Sequence, residues 1–424
     1  MDKFRAKVII LVVILICLIA CQPSIDEASC DDTLGCIVIE PDAPIHLGVI
    51  QTFSGGAANI GISQLNSIKL AIVERNSELL GHPIILQAED ALCSAEGGAN
   101  AALKIVSDPQ TIAVLGTSCS GAAETASEIV SNAGLVMISG SNSAPSLTTI
   151  DGERGEHWQA GYFRTRPNDS TLMEAAAKFA YDVLLARKVA TIHDGDTYTQ
   201  GVTAIFERAF MDLGGEIVLS GSISKGDTNM APVLTAVSGV DADLIFFPLF
   251  SPEGDLLIQQ ANDVEGLEDV AFLGTANSLN LETFVQAVGQ AGVGTYFIST
   301  AVPEGDENDA FLKAYEARFN ELPQHQAYPY AYDAANLLLN AIENIAITDE
   351  SGRIYVPKEA LRSALYATNN YDGFSGMISC DEFGDCSRAD FQFLRFDDPN
   401  MGAEELITNI LYSYNPETEV IEQK

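Results

Sequence analysis

From residue 46 onward, short apolar runs alternate with longer stretches of helical periodicity. Strands alternating with helices of this length are typical of βαβ units and parallel sheets. There are too many predicted strands for one compact sheet, so the sequence predicts an α/β protein with two doubly wound parallel-sheet lobes. The predicted strands are 46–51, 83–87, 111–115, 135–139, 188–193, 216–219, 244–247, 270–274, 391–396 and 410–414, and the predicted helices are 59–79, 95–106, 122–132, 171–186, 201–213, 230–237, 254–261, 281–288, 310–319, 332–345 and 358–367.

The length of the chain supports the same division. Its 424 residues are more than one hydrophobic core usually supports. Hydrophobic residues make up 47% of the chain, which is enough for two substantial cores.

The N-terminus has the order of an export signal. Basic residues at positions 3, 5 and 7 precede an apolar stretch over 8–19, which is shorter than the roughly 20 residues of a membrane span. The stretch ends in Leu18-Ile19-Ala20-Cys21, which resembles a bacterial lipobox, so we expect residues 1–20 to be a lipoprotein signal peptide and Cys21 to carry lipid. A plain membrane anchor, or an ordinary signal with a chance cysteine, is the alternative. Either way the rest of the chain is expected outside the cytoplasm, with 21–44 as an acidic, proline-bearing tether.

The charge of the chain is strongly negative. It holds 22 Lys+Arg against 59 Asp+Glu, a net charge of −37, and removal of the signal (net +2) leaves about −39. Such a chain repels nucleic acid and anionic lipid headgroups. We interpret the charge as a solvating coat, with adaptation to a salty habitat as an alternative. A buried pocket can still offer local donors to an anion.

Six cysteines remain once Cys17 leaves with the signal and Cys21 takes lipid. An even number in an oxidising compartment favours disulfides. Two pairs are close in sequence, Cys30 with Cys36 and Cys380 with Cys386, which leaves Cys93 with Cys119. The alternative, a metal site, is disfavoured because no histidine lies near these pairs at ligand spacing.

Motifs of enzymes and nucleotide-binding proteins are incomplete in this chain. The run 116–121 resembles a nucleophile elbow but has Ser120 where the second glycine is required. The run 221–226 has the spacing of a phosphate loop, but Asp227 stands in place of its lysine. The five histidines are scattered and are interpreted as structural or surface residues. We therefore predict no enzyme, no cofactor and no metal.

A series of short motifs, each weak alone, occurs in a defined order over about residues 45–400. They are Gly48-Val49-Ile50, Ser54-Gly55-Gly56-Ala57-Ala58-Asn59-Ile60-Gly61, Glu89-Asp90-Ala91-Leu92-Cys93, Val114-Leu115-Gly116 with Cys119-Ser120, Met137-Ile138-Ser139, Phe163-Arg164-Thr165 with Asp169, His193-Asp194 with Tyr198, Tyr332-Asp333-Ala334, and Phe374-Ser375-Gly376. In this order they resemble type I periplasmic or extracellular solute-binding proteins, the branched-chain amino acid (leucine/isoleucine/valine) binding family of ABC importers.

The resemblance implies two lobes joined by three crossover strands. It places lobe 1 at 45–163 and 298–373 and lobe 2 at 164–297 and 374–424, with crossings near 163–164, 296–299 and 373–378. A small solute in the cleft favours the closed form, which the ABC permease and its ATPase then recognise. The protein is expected to be a monomer whose membrane contact is its N-terminal lipid.

The resemblance also implies the ligand contacts. In lobe 1 these are Cys119-Ser120 and Ser141-Asn142-Ser143, whose hydroxyl and backbone groups hold the carboxylate and ammonium of an amino acid in the family. Ser120 also lies between a strand and a helix, where free N–H groups can face a carboxylate; the alternative is that these serines only cap helices.

Bulky side chains complete the implied site. Ile60 lies where relatives place a bulky side chain against the ligand. Tyr198 and Phe250 match aromatic positions of lobe 2 that close over the ligand, with ordinary packing as the alternative.

One position departs from the family pattern. Leucine-type binders place an acidic residue where this chain has Ala276, next to Asn277. A desolvated ammonium without a carboxylate partner is costly. Asp196 or Glu253 could substitute, carbonyl groups and Asn277 could suffice, or the ligand could lack an α-ammonium. We thus expect a receptor for a branched-chain or other neutral amino acid, with short amides, urea-like solutes, organic acids or a sensory role as alternatives.

Overall fold

The computed structural model describes residues 30–416 and 418–424. The predicted signal peptide and the lipidation of Cys21 lie outside the described residues. Among the helices of the described part, none is long and apolar enough to cross a membrane.

The first sheet has six strands and the strand order of a doubly wound fold. In space these are β3 (Glu78–Leu79), β4 (His82–Asp90), β2 (Ile45–Gln51), β5 (Thr111–Gly116), β6 (Val136–Ser139) and β9 (Tyr162–Arg164). All but β3 are parallel to their neighbours. Strand β5 is buried along its whole length, as expected for a central strand covered on both faces.

Helices from two separate parts of the chain pack with the first sheet. The early ones are α1 (Ala58–Glu74), α2 (Ala95–Val106) and α3 (Ser120–Asn132), and the later ones are α9 (Asp306–Phe319), α10 (Tyr328–Ile345) and α11 (Lys358–Tyr366). Helix α1 ends before the predicted residue 79 because Asn76 and Ser77 adopt left-handed backbone conformations, with φ of 57° and 60°.

The second sheet has eight strands. In space these are β11 (Glu216–Ser222), β10 (Lys188–His193), β12 (Leu244–Phe247), β13 (Ala271–Thr275), β14 (Tyr296–Thr300), β19 (Phe391–Arg395), β20 (Ile410–Asn415) and β21 (Val420–Gln423). The first five are parallel, whereas β19, β20 and β21 are added antiparallel. Its helices are α4 (Asp169–Lys178), α5 (Thr197–Asp212), α6 (Ala231–Ser238), α7 (Glu253–Ala261), α8 (Leu281–Val288) and α12 (Ala403–Thr408).

Smaller elements complete the fold. Strands β1 (Cys36–Ile39), β16 (Ile354–Pro357) and β15 (Ile347–Thr348) form a three-stranded sheet, and two hairpins pair β7 (Thr149–Ile150) with β8 (Glu153–Arg154) and β17 (Tyr371–Gly373) with β18 (Gly376–Ile378). Single helical turns lie at Pro145–Leu147, Phe179–Val183 and Gly289–Gly292. Within the predicted tether, Ile37 and Ile39 of β1 are buried, so this part is packed against the fold.

The chain passes between the two sheets at three places. It leaves the first sheet after β9, returns after β14, and leaves again between Cys386 and β19. The second and third passages come later than the predicted boundaries at 298 and 373. Strand β14 pairs with β13 as far as Ile298 and with β19 to Thr300, and the loop closed by Cys380 and Cys386 hydrogen-bonds to Arg164 of β9.

Candidate functional site

A small cavity lies where the carboxyl ends of the two parallel sheets face each other. The residues that line it are Ile60, Ser118, Cys119, Ser120, Ser141, Ser143, Arg166, Tyr198, Phe250, Asn277 and His325. The enclosed space between them is about 20 Å³, enough for about one water molecule. The described form is therefore nearly filled by its own side chains, and a solute must be small and must displace some of them.

The strand order explains why the cavity forms here. In both sheets the parallel strands run second, first, third, fourth, fifth, and ligand crevices in such sheets open beside the first strand, where the order reverses. In the first sheet, Ile60 follows β2 and Ser120 follows β5. In the second, Tyr198 follows β10 and Phe250 follows β12. Both reversal points therefore contribute to one cavity.

Most of the predicted ligand contacts lie together in this cavity. Ile60, Cys119, Ser120, Ser141, Ser143, Tyr198, Phe250 and Asn277 line it, whereas Asn142 and Ala276 are not among the lining residues. The side chain of Asn142 is directed behind the loop, where its Oδ1 accepts hydrogen bonds from the Thr117 N–H and the Tyr162 hydroxyl, both at 3.2 Å. Ala276 is buried, and its N–H donates to the carbonyl oxygen of Ile298 at 3.0 Å.

In the structure the sulfur atoms of Cys93 and Cys119, of Cys30 and Cys36, and of Cys380 and Cys386 lie next to each other, in the pairs expected for disulfides. Cys119 is the residue before α3 and lies in the cavity wall. Its link to Cys93 holds the start of α3 against the loop after β4.

The serine hydroxyls of the cavity have mostly protein partners. Ser118 Oγ donates to Gln51 Oε1 at 2.7 Å, Ser141 Oγ donates to the Ser118 carbonyl at 2.9 Å, and Ser143 Oγ donates to Asp169 Oδ2 at 2.9 Å. Ser120 Oγ instead accepts from the Ala144 N–H at 3.3 Å. Within the described part of the chain, the Ser120 hydroxyl therefore keeps its proton available for an occupant.

Arg166 was not predicted as a site residue. Its side chain is buried, its Nη2 donates to Thr300 Oγ1 at 2.7 Å, and its Cζ lies 4.9 Å from the ring centroid of Tyr330. Its Nη1 is buried without a hydrogen-bond partner among the described residues. The sequence offered a hint of this role, because Arg166 is one of only 22 Lys and Arg residues and directly follows the predicted crossing at 163–164.

Asp169 lies buried behind the cavity wall, near Tyr198, which is part of that wall. Burial raises the pKa of the Asp169 carboxyl, and the nearby Arg166 guanidinium and the Ser143 hydrogen bond oppose this effect. Burial and the charge of Asp169 raise the pKa of the Tyr198 phenol well above its usual value. The Tyr198 ring lies 5.7 Å from the ring of Phe250, and the two form an aromatic wall of the cavity.

His325 was also missed, because it lies in the loop before α10, far in sequence from any strand end. Its Nδ1 accepts from the Ala327 N–H at 3.1 Å, so its Nε2 carries the proton that bonds the Asn277 carbonyl. Burial lowers the pKa of His325 to about 4, and the positive charge of Arg166 acts in the same direction. The imidazole is therefore neutral at pH 7.

The acids considered as substitutes at Ala276 do not line the cavity. Asp196 caps α5 by accepting from the Tyr198 N–H at 2.9 Å and lies 3.6 Å from Lys225 Nζ. Glu253 accepts from the Gly226 N–H at 2.6 Å. Among the described lining residues, Arg166 is thus the single charged side chain. The described part of the chain also has no cluster of residues that could hold a metal ion.

Comparison with known proteins gives a consistent family. The family described as "Periplasmic binding protein" matches residues 44–388. A Leu/Ile/Val-binding protein homolog of Brucella melitensis is 26% identical over 360 residues, which cover 84% of this chain and 92% of the relative.

Solved structures agree with this match. The branched-chain amino acid binding protein LivJ of Streptococcus pneumoniae, solved with isoleucine, has a TM-score of 0.70 at 26% identity and covers 84% of this chain and 97% of its own. The leucine-binding protein LivK of Thermotoga maritima has a TM-score of 0.75 at 22% identity, with 88% of this chain and 99% of its own covered, and shows the shared fold.

Proposed function

The chain belongs to the periplasmic binding protein family, and we propose that it is a lipid-anchored extracytoplasmic receptor of an ABC importer that binds one small polar solute between its two lobes. Members of this family are substrate-binding receptors and not enzymes. The cavity at the facing carboxyl ends of both sheets is the observation that carries the proposal. A solute there would contact both lobes at once.

Contacts across the cavity support a closing mechanism. Thr197 Oγ1 of α5 donates to Glu124 Oε2 of α3 at 2.7 Å, and Lys225 Nζ donates to the Cys93 carbonyl at 2.8 Å. These bonds join elements of the two sheets, so the described form is a closed one. A solute with higher affinity for this form shifts the population toward it. We propose that the permease recognises the closed form.

The anchor is proposed from residues 18–21, whose order resembles a lipobox. A lipid on Cys21 would hold the receptor beside its permease. The strongly negative chain would keep the receptor from adhering to anionic lipid headgroups.

The cavity wall indicates the general kind of solute. Ile60, Tyr198 and Phe250 provide apolar surface, whereas Ser120, Arg166 and Asn277 provide polar groups. A small solute with one apolar and one polar end fits this division. The names of the relatives make branched-chain amino acids the first candidates, and small organic acids and amides the next.

Thermal unfolding of the purified protein against a panel of these solutes tests the proposal. We expect one class to raise Tm in a saturable manner, as mass action requires for a ligand of the folded state. Small-angle scattering with that solute should show compaction. No shift in Tm with any amino acid, amide or organic acid would contradict the proposal.

A further inference from the structure

We infer that the solute carries a carboxylate that binds Arg166 and lacks an ammonium group. The inference rests on the proposed function, since it concerns the same cavity. It narrows the solute from any small polar molecule to a small carboxylic acid with an apolar body.

The guanidinium of Arg166 lacks one partner. It stays protonated at every physiological pH and presents donors in a planar fork that matches a carboxylate. Nη2 is bound to Thr300 Oγ1, whereas Nη1 is buried and unpartnered among the described residues. Buried donors are rarely left unpaired, so each such donor needs an explanation. A solute carboxylate in the cavity would supply the acceptor.

Two further features favour an anion. Ser120 lines the same cavity and has a hydroxyl proton to donate. It is also the first residue of α3, a helix of 13 residues whose N-cap residue, Cys119, makes no side-chain capping bond. The positive end of a helix dipole stabilises an anion. The Asp196 carboxylate lies at the same helix start, with its Oδ2 3.1 Å from the Cβ position of Gly121, and shares this field with the solute.

The same cavity is unsuited to an ammonium. No Asp or Glu is among its described lining residues, and its one charged side chain is positive. Asp169 does not line the cavity, and its Oδ2 accepts from Ser143, whereas its Oδ1 is buried without a hydrogen-bond partner among the described residues and lies near the Arg166 guanidinium. An amino acid would therefore bring its ammonium, stripped of water, near the guanidinium with no carboxylate in contact.

Asn277 defines the remaining polar end of the solute. Its Nδ2 donates to Thr300 Oγ1 at 3.3 Å, and its Oδ1 is buried without a partner among the described residues. Thr300 thus positions both Arg166 and Asn277. A hydroxyl or amide N–H on the solute would satisfy Oδ1 without adding charge.

Titration calorimetry with three matched probes tests the inference. Isocaproate is leucine without its amino group, isocaproamide lacks both charges, and leucine carries both. We expect isocaproate to bind at least about tenfold more tightly than leucine or isocaproamide, since one charge-assisted hydrogen bond corresponds to about a tenfold change or more.

The outcomes separate the two proposals. If leucine binds more tightly than isocaproate, the inference is overturned and the proposed function stands. If neither the probes nor any solute of the wider panel binds, both are overturned.

Variants assign the effect to Arg166. In Arg166→Gln we expect the ratio of isocaproate to isocaproamide affinity to fall about 10- to 100-fold, and Arg166→Lys should recover part of it. Arg353→Gln is the matched control, because Arg353 makes an exposed ion pair with Glu40 and does not line the cavity, and its ratio should not change. An unchanged ratio in Arg166→Gln overturns the inference. Should that variant fail to fold, the probe series on the wild-type protein decides the question.

Discussion

Nε2 of His325 donates a hydrogen bond to the backbone carbonyl oxygen of Asn277 at 2.9 Å. The bond joins the loop before α10, which packs with the first sheet, to the loop after β13 of the second sheet. It requires a neutral imidazole, because Nδ1 accepts from the Ala327 N–H. Protonation of Nδ1 would place two donors against each other.

This bond predicts an acid-sensitive stability. The pKa of His325 is lowered to about 4 by burial, against 6.5 for an ordinary histidine. The unfolded chain therefore binds more protons between these values, so stability is full above pH 6.5 and is lost as the pH falls toward 4. We expect His325 to lower the free energy of unfolding by on the order of 3 kcal/mol when the pH falls from 6.5 to below 4.

Urea unfolding of His325→Gln and of the wild-type protein at pH 7 and pH 4.5 measures this contribution of His325 to stability. The variant should lose less free energy of unfolding over that interval than the wild-type protein. His82→Gln is the control, since His82 bonds the Ala43 carbonyl away from the cavity. An equal pH slope in His325→Gln and wild type would show that His325 is not the group responsible.

Gly56→Ala tests the closing motion. A Cβ at Gly56, in the loop after β2, would clash with the backbone carbonyl oxygen of Ser251, in the loop after β12. Backbone cannot yield as a flexible side chain can, so the closed form should be penalised. We expect solute affinity to fall about tenfold or more, at about 1.4 kcal/mol for each factor of ten, with little change in the free energy of unfolding.

Gly201→Ala is the matched control for this change. A Cβ at Gly201 meets no atom within 4 Å. Its affinity should equal that of wild type, and its helix should be slightly stabilised, because alanine is favoured over glycine in a helix. Wild-type affinity in Gly56→Ala would mean that binding does not need the described closed form.

The Cys93–Cys119 link should stabilise the fold and the cavity together. In the chain-entropy estimate, a crosslink over 26 residues contributes about 3.5 kcal/mol and one over 6 residues about 2.2 kcal/mol. We therefore expect replacement of Cys93 and Cys119 by serine to lower the free energy of unfolding more than the same change at Cys380 and Cys386. Urea unfolding compares the two, and mass spectrometry after alkylation counts free thiols in the wild-type protein. Alkylation of Cys93 and Cys119 without reductant would contradict the link.

Ser143 and Ser120 should respond differently to replacement by alanine. Ser143→Ala removes the hydrogen bond to buried Asp169 and should lower the free energy of unfolding by about 1–3 kcal/mol. Ser120→Ala removes a hydroxyl proton available to a solute and should weaken solute binding by about 1–3 kcal/mol. It also removes the long bond from the Ala144 N–H, at 3.3 Å, so a smaller loss of stability should accompany it. Urea unfolding and titration calorimetry on both variants separate the effects, and each variant is the control for the other. Equal losses of stability would exclude separate roles.

The periodic pattern predicted much of the fold, because strands covered by helices on both faces need continuous apolar runs. The resemblance to the family implied the shared site, which agrees with the rule that the carboxyl ends of parallel strands meet at one edge. Ser120 and Ser143 follow neighbouring strands β5 and β6, and both line the cavity. Strands β19 and β20 were predicted, but their antiparallel direction was not, because strand direction depends on the path of the connections, and β21 was not predicted.

Only the tertiary structure decided which side chains line the cavity. Arg166 and His325 lie in connecting segments whose positions depend on how the two sheets and α10 pack, and no local periodicity encodes that packing. Asn142 is directed away from the cavity for a similar reason, since its partners Thr117 and Tyr162 lie on other strands or loops. The sequence by itself determined the α/β class and the loops that form the site. The positive charge of the site comes from Arg166, which reaches the cavity through contacts between residues far apart in the chain. These contacts form only when both sheets are folded and face each other.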